Sequence, residues 1–157
     1  KTISNILLSI QRLKKKSVII WPNSDAGSNL ISKKIRVLRE NNRLSNYKIV
    51  KNLPIETYIP LIKNSKVLIG NSSSGLRDGS FLGIPVLNIG RRQNSRLRGK
   101  NVIDTDEKIE NIIKGINFQY GKRFKRSNLY GSGKTAGKIL KILKNLKKIP
   151  TYKKITY

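Results

Sequence analysis

Apolar residues along this chain alternate between helical spacing and short uninterrupted runs. Apolar positions that recur every three or four residues predict helices, whereas short apolar runs that stop at glycine or proline predict buried strands. The predicted strands cover residues 17–21, 47–50, 67–69, 85–89 and 101–103, and the predicted helices carry apolar stripes within 6–13, 30–38, 55–62, 74–82, 109–116 and 139–146. Regular alternation of strands and helices predicts an α/β fold with an open, doubly wound parallel sheet.

Proline and acidic residues refine the predicted helix boundaries. Pro54 is expected as the first residue of the third helix, and Pro60 is expected to make that helix short or irregular. Asp104 and Glu107 stand three positions apart, as in the capping box that opens many helices. The pair therefore predicts the start of the fifth helix.

The segment Gly70-Asn71-Ser72-Ser73-Ser74-Gly75, which we call the serine turn, follows the third predicted strand. Its glycines permit a tight turn, and its hydroxyls fall at the expected start of a helix, where backbone N–H groups lack intrahelical partners. Such a helix start favours phosphate. Serine and glycine also form turns without any ligand, so this segment alone leaves both interpretations open.

A second glycine turn follows the fourth predicted strand and carries Arg91 and Arg92; we call residues 90–93 the arginine turn. Planar guanidinium groups can hold phosphate oxygens at two points. Ligands of doubly wound sheets bind beyond the carboxyl ends of the strands, and Asn23 and Leu53 also follow predicted strands. We therefore expect these segments to converge on one rim and to form a nucleotide diphosphate site.

The composition limits the chemistry that the chain can perform. With 157 residues and 37% hydrophobic content, the chain is expected to form one domain over residues 1–149, followed by a basic tail at 150–157. The absence of cysteine and histidine excludes thiolate chemistry and removes the usual proton shuttle and metal ligand, so no metal site is predicted. No apolar run approaches the length needed to cross a bilayer, and a cytoplasmic protein is expected.

Basic residues dominate the charge of the chain. The 34 Lys and Arg residues against 8 Asp and Glu residues give a net charge of +26, and no acidic residue follows Glu110. Such a field attracts polyanions, so a nucleic-acid or polyanion-binding module is the alternative function. Aromatic residues are sparse at 6%, which disfavours nucleic acid as a partner. The chain begins with Lys1 and contains no methionine, so we expect it to be a fragment of a longer chain.

Four motifs together span essentially the whole chain. They are Trp21-Pro22-Asn23-Ser24-Asp25-Ala26-Gly27-Ser28, residues 70–78 from the serine turn onward, residues 83–93 around the arginine turn, and Tyr130-Gly131-Ser132-Gly133-Lys134. In order and spacing they resemble the hydrolysing UDP-N-acetylglucosamine 2-epimerases of sialic acid synthesis. The resemblance implies a Rossmann-like domain that forms the C-terminal half of a two-domain enzyme of the glycosyltransferase type B arrangement.

The resemblance also implies which residues hold the nucleotide. Family members grip UDP through positions that match Asn23, Leu53, Ser72, Ser73, Asp78 and Arg92. The two serines and the helix-start amides would bind the diphosphate, and Arg92 would neutralise it. The Leu53 backbone would hydrogen-bond uracil, and the Asp78 carboxylate would accept from ribose hydroxyls. Asp78 and Arg92 also have structural interpretations, as a helix-dipole partner and a surface charge.

The family reaction removes UDP from UDP-N-acetylglucosamine by anti elimination and hydrates the resulting glycal to N-acetylmannosamine. By resemblance, the acid and base carboxylates come from the first domain, so no catalytic residue is expected in this chain and the chain alone is expected to be inactive. The implied partners are the UDP-sugar, the missing N-terminal domain of the same polypeptide and, for the full-length parent, further copies in a homo-oligomer. No cofactor is implied.

The chain departs from the family pattern at a few positions. Family members commonly have Ile at Ser24, Glu at Asp78 and Gly at Ser95, and the animal enzyme has the lysine of its feedback site at Asn29. Asn23, although it matches a family position, is also a residue type that forms turns without a ligand. The four motifs still predict nucleotide binding. Regulation by the animal enzyme's feedback ligand is not expected for this chain, because Asn29 replaces the lysine.

Overall fold

The computed structural model describes residues 2–23, 27–40 and 46–146. In chain order its elements are α1 (Thr2–Arg12), β1 (Ser17–Ile20), α2 (Ser28–Glu40), β2 (Tyr47–Val50), α3 (Ile55–Asn64), β3 (Leu68–Gly70), α4 (Ser73–Leu82), β4 (Val86–Ile89), β5 (Val102–Thr105), α5 (Ile109–Gln119) and α6 (Thr135–Lys144). The α/β class and the order of the predicted elements are confirmed. Of the helices described, none has the length and apolar character required to pass through a membrane.

The described strands pair in parallel, as predicted. Strand β1 pairs with β2, with Ser17 opposite Tyr47 and Ile20 opposite Val50. Strands β3, β4 and β5 form a second sheet in that order. The pairing differs from the prediction in one respect: two parallel sheets are present in the described residues instead of one open sheet. In each sheet the carboxyl ends of the strands lie along one edge, where ligands of such folds bind.

Helix α1 packs against elements of both sheets. Leu7 belongs to a buried cluster with Ile35 of α2, and Ile10 belongs to another with Leu87 of β4 and Ile112 of α5. Leu7 and Ile10 are three residues apart, so they lie on the same face of the helix. Burial of this apolar stripe therefore connects the β1–β2 sheet to the β3–β4–β5 sheet.

The two sheets are covered to different extents. The side chains of Val18 and Ile20 in β1 are 43% and 42% exposed, whereas every residue of β4 is buried. The half-buried Tyr47 of β2 attaches this sheet to α1, because its hydroxyl donates to the Leu7 carbonyl at 2.6 Å. Burial raises the pKa of Tyr47 to about 12.

Two glycines set the position of α4 against β4. A Cβ added at Gly79 would lie 2.8 Å from a methyl carbon of Val86, so glycine allows the helix to approach the strand closely. The helix ends at Gly83, whose φ of +68° is the left-handed conformation that favours glycine. The opposite end of this helix begins at the serine turn, so its packing positions the candidate site.

The predicted capping box at the start of α5 is wrong. Asp104 lies in β5, and α5 begins at Ile109, after Lys108. The first turn is held instead by the carboxylate of Asp106, which accepts from the Lys108 backbone N–H at 2.9 Å and from the Asn111 side chain at 3.0 Å. These hydrogen bonds lower the pKa of Asp106. The strand extends farther than the pattern predicted, which places the first acidic residue in the sheet.

The predictions for Pro54, Pro60, the last helix and the basic tail compare with the structure as follows. Pro54 is the N-cap residue of α3, so the helix begins at Ile55, one residue later than predicted, and Pro60 lies inside a helix that continues to Asn64. Helix α6 begins at Thr135, and its apolar residues Ile139, Leu140, Ile142 and Leu143 are each at least half exposed. The predicted basic tail at 150–157 lies outside the described residues.

Candidate functional site

The serine turn is the start of α4. Ser72 is the N-cap residue, and its Oγ accepts from the Ser74 backbone N–H at 3.3 Å. Ser73 is the first residue of the helix, and the first turn contains no acidic residue. The partial positive charge of the helix N-terminus is therefore not offset by a carboxylate in that turn. Such a helix start can bind an anion, while Ser72 also has the structural role of a cap.

Asp78 lies one turn farther along the same helix. Its Oδ2 accepts from the Ser74 hydroxyl at 2.6 Å, and the side chain is half-buried. Residues four apart lie on one face of a helix, so the carboxylate lies on the face that also carries Ser74. A carboxylate in this place can accept further hydrogen bonds from the hydroxyl groups of a ligand.

The arginine turn follows β4 directly. Gly90 has a φ of +77°, and its backbone N–H donates to the Thr105 carbonyl at 3.0 Å. A left-handed conformation at this position favours glycine. Arg91 and Arg92, which follow, have exposed side chains. The turn thus places two cationic side chains at the carboxyl end of β4.

A buried glutamine joins the arginine turn to the serine turn. Gln93 is 3% exposed, and its Nε2 donates to the Asn71 carbonyl at 2.7 Å. This hydrogen bond connects the residue after Arg92 with the residue before Ser72. The structure therefore brings the predicted phosphate-binding segments together, and a residue that the sequence analysis did not assign holds them. Its position inside the quoted motif, next to Arg92, was the available signal.

Arg98 forms the other support of the arginine turn. Its guanidinium contacts Asp104 at 3.0 Å and donates to the Gln93 carbonyl at 2.7 Å. Asn88 donates to the second oxygen of Asp104 at 2.6 Å. Burial raises the pKa of Asp104, but the hydrogen bonds from Arg98 and Asn88 and the charge of Arg98 outweigh it and hold the pKa below its ordinary value. The Arg98 charge is thus neutralised within the protein.

Leu53 and Asn23 follow the strands of the other sheet. The Trp21 N–H donates to the Val50 carbonyl at 2.8 Å, so the chain segments after β1 and β2 begin side by side. Leu53 is half-buried, and its N–H donates to the Asn52 side chain at 2.9 Å. Asn23 is exposed, and the hydrogen bonds that connect the serine and arginine turns do not involve it. The structure therefore brings the serine and arginine turns, with Ser72, Ser73, Asp78 and Arg92, into one region, whereas Asn23 lies after β1 of the other sheet.

A shallow depression of about 420 Å³ lies at the carboxyl ends of β4 and β5. Gly90, Arg91, Thr105, Asp106 and Glu107 line it. Its two acidic residues make it less suited to a diphosphate than the neighbouring serine turn. In the parts of the chain that the structure describes, no group of three or more metal-ligating side chains is close enough together to hold a metal ion.

Comparison with known proteins gives the chain its family. The sequence profile described as UDP-N-acetylglucosamine 2-epimerase matches residues 1–144. The chain belongs to this epimerase family. A UDP-N,N'-diacetylbacillosamine 2-epimerase (hydrolyzing) of Legionella pneumophila is 37% identical over 130 residues, which are 82% of this chain and 34% of the relative. A UDP-N-acetylglucosamine 2-epimerase of Neisseria meningitidis is 30% identical over 99 residues, which are 63% of this chain and 25% of the relative.

A solved structure supports the fold of this epimerase family member. The crystal structure of the UDP-GlcNAc 2-epimerase of Methanocaldococcus jannaschii, in complex with UDP-GlcNAc and UDP, superposes on this chain with a TM-score of 0.67 and 17% sequence identity. The superposition covers 90% of this chain and 39% of the Methanocaldococcus chain. The chain spans between a quarter and a third of the length of the curated relatives it matches. All six predicted site residues lie within the part that the family profile matches.

One departure from the family pattern has a visible structural consequence. Ser95 stands where glycine was expected, and its φ is +68°. This left-handed conformation costs a non-glycine residue roughly 1 kcal/mol. The segment after the arginine turn therefore contains a left-handed residue that is not glycine.

Proposed function

We propose that this chain is the UDP-binding domain of a hydrolysing UDP-N-acetylglucosamine 2-epimerase. The observation that carries the proposal is the hydrogen bond from Gln93 to the Asn71 carbonyl, because it holds a cationic turn against a helix N-terminus. Both are groups that bind phosphate, and they approach each other at the carboxyl ends of parallel strands.

The diphosphate is assigned to the serine and arginine turns. Ser73 and the backbone amides at the start of α4 donate to phosphate oxygens, and the Ser72 hydroxyl can donate its hydrogen to the same group while its Oγ still accepts from the Ser74 N–H. Arg92 contributes a charge-assisted hydrogen bond from its exposed position. The support from Arg98 and Asp104 keeps the arginine turn in place before the ligand arrives, which lowers the ordering cost of binding.

The nucleoside is assigned to the remaining predicted residues. Asp78 accepts from ribose hydroxyls, and the Leu53 carbonyl accepts from the uracil ring N–H. The Leu53 N–H donates to uracil once the Asn52 side chain releases it. Asn23 closes the site from the β1 side. This part of the proposal extends from the β3–β4–β5 sheet to the β1–β2 sheet.

The chemical contribution of this domain is stabilisation of the leaving group. In the anti elimination, the bond between the sugar anomeric carbon and the UDP oxygen breaks while a base removes the proton from C2 of the sugar. The diphosphate takes up the electron pair, and the helix N-terminus and Arg92 stabilise that charge as it develops. The general acid and base, and the groups that hydrate the glycal, belong to the rest of the full-length protein.

The proposed substrate is one of two related UDP-sugars. The names of the two relatives specify UDP-N-acetylglucosamine and UDP-N,N'-diacetylbacillosamine as substrates. Both names include UDP and a 2-epimerase activity. We assign UDP-N-acetylglucosamine as substrate and N-acetylmannosamine with UDP as products. Activity of the full-length protein on each of the two UDP-sugars, measured as released UDP, tests this assignment separately from UDP binding.

The binding experiment compares UDP with a polyanion. Calorimetric titration of the chain with UDP, GDP and a short single-stranded oligonucleotide, at low and physiological salt, separates the proposed function from the alternative suggested by the charge of +26. We expect UDP to bind at both salt concentrations. Oligonucleotide binding that survives physiological salt, together with no detectable UDP binding, would favour a polyanion-binding module instead.

A further inference from the structure

Three side chains form a continuous series of hydrogen bonds beside the serine turn. The Tyr58 hydroxyl of α3 is hydrogen-bonded to the Ser74 hydroxyl of α4. The Ser74 hydroxyl in turn lies 2.6 Å from Oδ2 of Asp78. We call these three residues the hydroxyl relay. All three side chains are partly buried, so the protein restricts their movement.

The chemistry of the three groups fixes the direction of each hydrogen bond. An ionised carboxylate can only accept, so the Ser74 hydroxyl donates its one hydrogen to Asp78. The Ser74 oxygen then has only acceptor capacity left, so the Tyr58 hydroxyl donates to it. The relay therefore runs from Tyr58 through Ser74 to Asp78. It engages Oδ2 of the carboxylate and leaves Oδ1 as the oxygen that can accept from a ligand.

Tyr58 lies in the first turn of α3, just after the segment assigned to uracil. Its backbone N–H donates to the Pro54 carbonyl at 2.9 Å, one residue after Leu53. The same residue thus contacts the end of the segment assigned to uracil and, through Ser74, the carboxylate assigned to ribose. This connection crosses from the segment that follows β2 to the helix that follows β3.

We propose that Tyr58 is a positioning residue for ribose recognition. Through Ser74 it fixes the orientation of the Asp78 carboxylate, so that Oδ1 accepts from the ribose hydroxyls of a nucleoside diphosphate. This inference rests on the proposed function, because it assigns the ribose to the same site. Aspartate has a short side chain, so its reach to a ligand depends on how its carboxylate is oriented. Without the Tyr58 donor, the Ser74 hydroxyl loses the partner that holds it toward Asp78.

The test compares two ligands in a Tyr58→Phe variant of the chain. Calorimetric titration with UDP and with 2′,3′-dideoxy-UDP separates ribose recognition from all other contacts, since the second ligand lacks both ribose hydroxyls. We expect UDP affinity to fall about three- to tenfold, the range for loss of one hydrogen bond, and dideoxy-UDP affinity to stay within about twofold. The preference for UDP over the dideoxy ligand should therefore shrink.

Two further variants keep the test decisive. Tyr47→Phe is the matched control, because Tyr47 donates to the Leu7 carbonyl and lies outside the relay; it should leave the preference for UDP unchanged. Ser74→Ala breaks the relay from α4 and should reduce the preference as Tyr58→Phe does.

Each possible result distinguishes the inference from the proposed function. Equal weakening of both ligands by Tyr58→Phe, or no change in either, would overturn the positioning role while UDP binding stands. Failure of the unchanged chain to bind UDP would overturn the proposed function, and the inference with it.

Discussion

The β3–β4–β5 sheet and the β1–β2 sheet differ in how completely they are buried. Every residue of β4 is buried, and helices α4 and α5 both contact that strand. In β1 the pattern alternates, and Val18 and Ile20 are more than 40% exposed. The serine and arginine turns follow β3 and β4, whereas Asn23 and Leu53 follow β1 and β2. The phosphate side of the candidate site thus rests on the better-packed sheet.

The difference in burial indicates which part of the site is held in place before a ligand binds. The diphosphate segments are connected by Gln93 and supported by Arg98, both of which make hydrogen bonds within the protein. The nucleoside segments depend on the smaller sheet and on the contact of Tyr58 with α4. Groups that must stabilise a developing charge gain most from being held in place beforehand.

A valine-to-alanine substitution should lower the free energy of unfolding far more in the β3–β4–β5 sheet than in the β1–β2 sheet. Val86→Ala removes methyl groups that are 3% exposed and that touch the α4 backbone, so it should lower the free energy of unfolding by about 2 to 3 kcal/mol. Val18→Ala, at a side chain that is 43% exposed, should cost about 1 kcal/mol. Urea unfolding of both variants provides the measurement. Equal losses would show that the two sheets contribute alike.

Removal of the exposed arginine tests the phosphate side. Arg92→Ala should weaken UDP binding by about 1.5 to 3 kcal/mol, the value of a charged hydrogen bond, and should leave thermal stability almost unchanged. Arg96→Ala is the matched control, because it removes an exposed arginine of the following segment. Calorimetry that finds the same UDP affinity in the Arg92 variant as in the unchanged chain would remove Arg92 from the site.

A stabilising change is expected beside the arginine turn. Ser95→Gly relieves a left-handed conformation with φ of +68° and should raise the free energy of unfolding by about 0.5 to 1 kcal/mol. Ser65→Gly is the control, since Ser65 has a φ of −66° and its hydroxyl donates to the Ile62 carbonyl. That control should be destabilising. A loss of stability in the Ser95 variant would mean that the serine side chain makes a compensating contact.

The smallest expected effect is a dependence of stability on pH. The pKa of Asp104 is lowered in the folded chain from its ordinary value of 3.8, so its contribution to stability is present above that value and is lost as the pH falls through the lower, folded pKa. Asp104→Asn should therefore flatten the acid part of the stability profile. Denaturation at a series of acidic pH values measures this slope, and an unchanged slope would contradict the role given to the ion pair with Arg98.

Local patterns predicted most of the fold. The apolar spacing identified the strands and helices in their correct order, because burial imposes a period on each element. The division into two sheets could not be read from those patterns, since strand pairing depends on contacts between distant segments. The capping box failed for a related reason: Asp104 pairs with Arg98 and Asn88 in the folded chain, and short-range spacing does not reveal those partners.

The sequence predicted the phosphate-binding groups of the candidate site better than it predicted the residues that hold them in place. Ser72 lies at the N-cap of α4 and Arg92 lies just after β4, at the places that the serine and arginine patterns indicated. Gln93 and Tyr58 hold those segments; Gln93 lies inside a quoted motif but was given no role there, and Tyr58 lies outside all four motifs. Their roles depend on tertiary hydrogen bonds to Asn71 and Ser74, and short-range sequence patterns do not reveal those partners.

The most direct test of the central claim is a backbone amide NMR titration of the chain with UDP and, separately, with uridine. If the diphosphate binds between the serine and arginine turns, UDP should shift the amides of Ser73, Ser74 and Arg92 strongly, and uridine should leave them nearly in place. Shifts from UDP that are confined to the lysine-rich C-terminal residues, or equal shifts of the serine turn by both ligands, would contradict the account.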